Sequence, residues 1–405
     1  MINSGDTAFV LISAALVCLM TPGLAFFYGG LVRKKNVLTI MMQSFISMGV
    51  VTAIWFVGGF SLAFGHDVHG IIGTMQYAFL NGVGMDPSST YGTTIPFITF
   101  FTYQQMFAII TPALITGAFA DRVSFKSYLI FLVLWSLLVY IPFAHWIWGG
   151  GFLQKLGVVD FAGGMVVHVS AGVAALASVF FIGKRVMPAS ENNTPHNVTY
   201  VALGTGLLWF GWFGFNGGSA LAANGVAAAA FVNTDIAGSI AMVTWLFISW
   251  IHDKRPSFVG ALTGAVAGLA TITPCAGFIE PWAAVIVGFL AGGVCYMAVQ
   301  WRIHMDWDDA LDVWGVHGVG GILGSILVGV FAVSSVGGVD GILAGNPRQL
   351  LVQLLAVAIT AIYAFVVTYL LLKVINVFVP VRVSREEELR GLDDSIHKET
   401  AYNLE

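Results

Sequence analysis

The sequence predicts an all-α polytopic membrane protein of eleven transmembrane helices, with spans 1–5 and 6–10 forming an inverted repeat and span 11 added at the end. Three observations carry this reading. Charges are too few for a water-facing globule, eleven apolar runs are long enough to cross a bilayer, and the basic residues keep to alternate connections.

Of the 405 residues, 58% are hydrophobic and 9% are charged. A soluble domain carries about a quarter of its residues charged to keep its surface hydrated. The bilayer must therefore be the solvent for most of this surface, and no nucleic-acid partner is expected.

A span needs about 20 mostly apolar residues, because each helical residue rises about 1.5 Å against a hydrocarbon core of about 30 Å. Such runs lie near Ala8–Val32, Val37–Phe64, Phe97–Ala120, Tyr128–Trp148, Phe161–Ile182 and Val198–Ala223. The others lie near Val226–Ile251, Phe258–Cys275, Trp282–Trp301, Val313–Val333 and Leu350–Val379. The first run is too long for a cleaved signal peptide, and no small-residue cleavage site follows it.

Charge placement tests the segmentation independently. With the amino terminus outside, the inner connections hold Arg33, Lys34, Lys35, Arg122, Lys126, Lys184, Arg185, Lys254, Arg255 and Arg302. The inner end of span 11 and the tail add Lys373, Arg382, Arg385, Arg390 and Lys398. Only Lys155 and Arg348 of the 17 basic residues fall outside, as the positive-inside rule requires. The carboxyl terminus is then cytoplasmic, with a transmembrane domain over 1–381 and a polar tail over 382–405. The other long polar segment, 66–96, is extracellular.

Cys18, Cys275 and Cys295 lie in or beside spans without metal-ligand spacing, and no cofactor or metal is expected. The 48 glycines read mostly as small residues that let helices pack closely in a bilayer. Some mark an internal repeat. Phe26-Phe27-Tyr28-Gly29-Gly30 in span 1 parallels Gly214-Phe215-Asn216-Gly217-Gly218 in span 6. Val167-His168 with Gly172 in span 5 parallels Val316-His317 with Gly321 in span 10. Five spans separate the members of each pair, and an odd offset reverses direction through the membrane. Inverted repeats of this kind hold their substrate path at the pseudo-symmetric interface.

His168 and His317 are the leading candidates for chemistry. Ionisable groups inside spans are expensive and usually face a pathway or one another. These two enter the hydrocarbon zone from opposite faces, so the repeat can bring them together; two separate, satisfied histidines are the alternative. Asp160, eight residues before His168, can cap the helix start or lend negative potential to an incoming cation. Trp148, Phe215 and Phe107 can offer cation–π faces, although an interfacial aromatic belt uses the same residue types. Asp235, inside span 7, has no evident partner.

Phe26-Phe27-Tyr28-Gly29-Gly30, His145-Trp146-Ile147-Trp148-Gly149-Gly150-Gly151 and the run from Asp160 through Gly163-Gly164 to His168 resemble the Amt/Mep/Rhesus ammonium transporters. So do Gly211-Trp212-Phe213-Gly214-Phe215-Asn216-Gly217-Gly218-Ser219 and Asp312-Val313-Trp314-Gly315-Val316-His317-Gly318. The resemblance runs in order from Phe9 to the tail. It implies a homotrimer in the cell membrane with one pore per subunit, a transporter and not an enzyme. It assigns Phe107, Trp148 and Ser219 to an external ammonium site, Phe107 and Phe215 to a stacked gate, Asp160 to supporting that site, and His168 with His317 to the pore. Trp148 and Ser219 are similar to the Amt branch, since Rhesus proteins lack this recruitment site, and His168 stands where some fungal members carry an acid. The tail, Gly391-Leu392-Asp393-Asp394 through Ala401-Tyr402-Asn403, resembles one that works with nitrogen-regulatory PII proteins, although Lys398 stands where many members have Gly.

That chemistry is sound on its own terms. Ammonium has four N–H donors and is close in size to potassium. An apolar pore refuses a bare ion because desolvation costs many kcal/mol; ammonium can escape by giving up its proton, and potassium cannot. A histidine pair is suited to accept hydrogen bonds or relay protons there. Rival readings are weaker. A cation channel would show acidic rings or a carbonyl filter. A metalloenzyme would need a third ligand near both histidines, and Asp160 is offset by about two helical turns. A sensor of the kind with a long signalling domain would need one.

Overall fold

The computed structural model describes residues 1–186 and 194–402. Asn403, which closes the tail motif, and Glu405 lie outside the described residues.

The chain forms α1 (Ser4–Leu31), α2 (Lys34–Phe64), α3 (Phe97–Ile115), α4 (125–148), α5 (Gly164–Ile182) and α6 (Val198–Ala220). Then follow α7 (Gly225–Asp253), α8 (Phe258–Ile272), α9 (Pro281–His304), α10 (Trp314–Phe331) and α11 (Pro347–Phe378). Ten of these are long and apolar enough to cross a membrane, and α8 is a shorter apolar helix of 15 residues. The protein is an all-α multi-pass membrane protein. Its helix starts have local causes. Side chains of Asn3, Ser124, Asn197, Asn224 and Ser257 cap α1, α4, α6, α7 and α8, while Pro281 and Pro347 occupy first-turn positions of α9 and α11, where the missing N–H has no partner to lose.

Related helices of the two halves pack on each other. α1 and α6 run antiparallel along a seam of Gly23, Gly30, Gly204, Gly211 and Gly214; a Cβ at Gly204 would lie 2.2 Å from the Phe27 nitrogen. α5 and α10 cross in the same reciprocal manner. A Cβ at Gly172 would lie 2.1 Å from the Gly318 nitrogen, and one at Gly321 would lie 2.8 Å from His168 Cβ. Each glycine, four residues after one histidine, thus packs against the helix turn holding the other. Lacking a side chain is what permits that approach.

Both histidines also sit in π-helical turns, Gly164–Val169 and Trp314–Gly318. Such turns are rare and frequent at functional sites. The i→i+5 pattern is explicit at His168, whose N–H donates to the Gly163 carbonyl at 3.0 Å.

Most ends lie within a few residues of the apolar runs, and two of the differences have a visible cause. α3 stops at Ile115, because 116–122 turns back to place Arg122, fully buried, on the Ala118 and Asp308 carbonyls at 3.0 and 2.5 Å. α5 begins at Gly164, three residues after the apolar run does, for the reason given below. The tail does not float free. Asp393 accepts from the Leu38 and Thr39 N–H groups at 2.9 and 2.8 Å, and Leu392 N–H donates to Asn36 Oδ1 at 2.7 Å. Glu388, fully buried, accepts from Val186 N–H at 2.5 Å and from Arg382 at 2.9 Å.

Candidate functional site

At the face carrying 66–96 a vestibule of about 360 Å³ is lined by Gln104, Phe107, Trp148, Asp160, Phe161 and Ser219, among others. Trp148 stands edge-on to Phe107 with ring centroids 6.0 Å apart at 87°. Its indole N–H donates to the Asp160 carbonyl at 2.8 Å, which fixes the ring. The Ser219 hydroxyl donates to the Phe215 carbonyl at 2.9 Å. Tyr103, 3.2 Å from Ser219 Oγ, donates to the Gly214 and Phe215 carbonyls at 2.9 and 2.8 Å. With its single proton so directed, Ser219 Oγ keeps a lone pair for an N–H donor. Aromatic faces and one acceptor oxygen suit a small cation that carries protons.

Below this cavity, Phe107 and Phe215 lie ring against ring, centroids 4.2 Å apart at 32°, each 1% exposed. They separate the vestibule from an apolar lumen. Met20, Leu24, Ile110, Leu114, Leu208 and Val266 help to line it, together with Trp212 and both histidines. A water-sized sphere finds only about 10 Å³ there, close to the least that holds one water.

His168 Nδ1 and His317 Nδ1 are 3.2 Å apart and the ring planes differ by 18°; the side chains are 1% and 3% exposed. One Nδ1–H donates to the other Nδ1, so the contact holds one proton between two rings. Trp212 stacks over His168 with centroids 5.5 Å apart and donates its indole N–H to Thr273 Oγ1 at 2.9 Å. His168 Nε2 is buried with no hydrogen-bond partner among the described residues.

The approach to each histidine repeats too. Eight residues before His168, the Asp160 carboxylate accepts four backbone N–H groups, from Gly163, Gly164, Met165 and Val166, at 3.0, 2.5, 2.8 and 3.1 Å. These are the donors a helix start leaves over, so Asp160 is a cap, and α5 can begin only beyond it. Gly163, five residues before His168, has φ 108°, which only glycine adopts readily. In the other half Asp309 lies eight residues before His317 and accepts from Trp314 N–H at 2.7 Å. Burial, with Asp312 close by, pushes its carboxyl up to about 6. Asp312, five residues before His317, is left-handed at φ 59° and pairs with Arg302.

The structure thus brings Phe107, Trp148, Asp160 and Ser219 to one vestibule, and Phe215, His168 and His317 to the lumen beneath it. Asp235 lies exposed on the outward side of α7, away from both, and nothing in the structure explains it. Sequence reasoning missed Tyr103, Gln104 and Asp309. The first two carry no spacing signal, but the eight-residue offset shared by Asp160–His168 and Asp309–His317 was there to be read. Among the described residues no cluster of three His, Cys, Asp or Glu side chains could hold a metal.

Residues 8–402 match the Ammonium Transporter Family. The chain is 47% identical over 401 residues to an ammonium transporter of Bacillus subtilis, covering 98% of each chain. It is 48% identical over 401 residues to ammonium transporter Amt1 of Archaeoglobus fulgidus, covering 99% of this chain and all of that one. Among solved structures, Saccharomyces cerevisiae Mep2 superposes with a TM-score of 0.89 at 36% identity, over 95% of this chain and 88% of that one. A sensor Amt protein does so at 0.89 and 31%, over 97% and 98%.

Proposed function

The chain belongs to the Ammonium Transporter Family and is an ammonium transporter, and from that premise we propose that it recruits NH4+ between Phe107, Trp148 and Ser219 and conducts ammonia past Phe215 through the lumen of His168 and His317. The observation that carries the reading is the buried histidine pair, in contact at 3.2 Å inside an apolar lumen that a closed ring pair shuts from the vestibule. Above the rings, aromatic faces and Ser219 Oγ replace part of the ion's hydration. Among the described residues that line the lumen below them none is a carboxylate, so a bare cation meets no counter-charge there, and ammonium passes as ammonia after giving its proton to water in the vestibule. The histidine nitrogens then exchange hydrogen bonds with ammonia. Ammonium-driven flux into proteoliposomes of the purified protein tests this. Saturable flux that equimolar potassium does not inhibit is expected; competition by potassium would overturn the pore reading, and absence of flux would favour a sensor. Current recorded alongside reports whether the proton follows.

The vestibule makes a milder prediction. Trp148→Leu and Ser219→Ala should each raise half-saturating ammonium about three- to tenfold, the scale of one desolvated cation–π contact or hydrogen bond. Melting temperature should stay put. Unchanged concentration dependence in both variants would leave Trp148 as part of an aromatic belt.

We further propose a cell-membrane homotrimer with the amino terminus outside, a transmembrane domain over 1–381 and a cytoplasmic tail over 382–405. The basic residues of alternate connections support that orientation. A tag placed after Glu405 should then resist external protease in intact cells, and external cleavage would reverse it. The tail's seat on the 36–39 turn supports a regulatory role in which a PII protein caps the cytoplasmic pore mouths. Pull-downs with ATP, ADP and 2-oxoglutarate that never recover one would count against this partner.

A further inference from the structure

Three residues before Trp148, His145 is a fully buried imidazole with an acceptor at each nitrogen. Its Nδ1 lies 2.8 Å from the Ala63 carbonyl at the end of α2, and its Nε2 lies 2.9 Å from Asp67 Oδ1 in the hairpin that follows. Asp67 Oδ1 also accepts from Gly70 N–H at 2.8 Å, and Oδ2 accepts from Lys155 Nζ at 2.5 Å. Lys155, and after it His145, hold the Asp67 carboxyl at about 2, so Asp67 has no proton to give. A carbonyl has none either. Only an imidazolium, with N–H at both positions, satisfies both oxygens; either neutral tautomer sets a lone pair against one of them.

The surroundings are built to that contact. A Cβ at Gly149 would lie 1.9 Å from the Ala63 oxygen and 2.9 Å from His145 Nδ1. The N–H groups of Gly149 and Gly151 both close on the His145 carbonyl, at 3.0 and 2.9 Å. Trp148 is the last helical residue before this turn, so where α4 ends decides where its indole stands. Hydrogen-bonded to the cluster are the charged groups Asp67, from the hairpin, and Lys155, from the short helix Phe152–Leu156; α2 contributes the Ala63 carbonyl. His66 and His69, both exposed, and Tyr91, whose hydroxyl is pushed up to about 12 by burial with Tyr77 and Asp67 near it, are other titratable groups near Asp67.

We propose that His145 is a positioning residue for ammonium recruitment: with an N–H at each ring nitrogen it clamps the end of α4 to Asp67 and to the Ala63 carbonyl, and so sets the seat of Trp148. The proposal rests on Trp148 forming part of the recruitment site. Half-saturating ammonium and maximal flux are measured in proteoliposomes. Asp67→Asn, a change at the surface that spares the buried ring, should raise half-saturating ammonium about tenfold, the order of one charged hydrogen bond, with maximal flux unchanged, and Asp67→Glu should restore it. The double variant His66→Gln, His69→Gln should behave as the wild type. Trp148→Leu should also be raised, and Asp67→Asn added to it should raise it no further. A wild-type half-saturation in Asp67→Asn, a change in maximal flux alone, or a further rise when Asp67→Asn is added to Trp148→Leu would overturn the clamp. A wild-type half-saturation in Trp148→Leu would instead remove the recruitment reading, and the clamp with it.

Discussion

His168→Ala and His317→Ala should each abolish ammonium-selective flux, or convert it to flux that potassium inhibits, while ammonium still binds in the vestibule. The two rings meet through their Nδ1 atoms in a lumen with almost no polar lining. Removing one ring orphans the nitrogen of the other in a low-dielectric setting, a loss of about 1–3 kcal/mol. It also removes one of the two rings whose nitrogens, on the proposed mechanism, exchange hydrogen bonds with ammonia along that stretch. The vacated ring volume adds room to a lumen that now scarcely admits one water. Water entry would lower the desolvation penalty that excludes potassium. Vestibule binding should survive because Trp148 and Ser219 are held by the Asp160 and Phe215 carbonyls and not by either histidine. If both variants carried wild-type, ammonium-selective flux, the pair would be structural and the mechanism would fall.

That pair was legible in the sequence because a histidine inside a span is costly and because the same His-x-x-x-Gly spacing recurs five spans later. The fold was legible for a related reason: where the bilayer is the solvent, length and apolarity alone delimit most helices. What escaped is what depends on backbone geometry. Phe161 and Ala162 continue the apolar run of α5, and only the Asp160 carboxylate, turning back onto four N–H groups, shows that the helix starts after them. The π-helical turns that carry His168 and His317 leave no mark in hydropathy. Tyr103 looks like any other aromatic of α3 until α6 supplies Gly214 and Phe215 beside its hydroxyl. The tail's charges keep it out of the bilayer, but they do not say that Asp393 will sit on the Leu38 and Thr39 N–H groups in the first turns of α2.

Asp160→Ala should be the most destabilising single change at this site. Four buried N–H donors would lose their acceptor together, and an unsatisfied buried donor costs about 1–3 kcal/mol. If water reclaims half of them, the loss is still several kcal/mol against a net stability of about 5–15 kcal/mol. The freed turn also carries the carbonyl that holds the Trp148 indole, so recruitment should fail with it. The expected result is a lower melting temperature in detergent, a smaller yield of folded protein and little flux. Asp160→Asn separates the two roles open to this carboxylate. Its amide keeps one acceptor oxygen, able to hold only one of the two N–H pairs, and turns donors toward the other. A cap therefore predicts an intermediate loss of melting temperature in Asn, with flux falling in proportion to folded protein. Attraction of the cation predicts something else, a wild-type melting temperature with raised half-saturating ammonium, because on that reading the charge is what the carboxylate contributes. The four bonds already made by the carboxylate, and the helix dipole they oppose, leave little field for the vestibule, so the first pattern is the expected one.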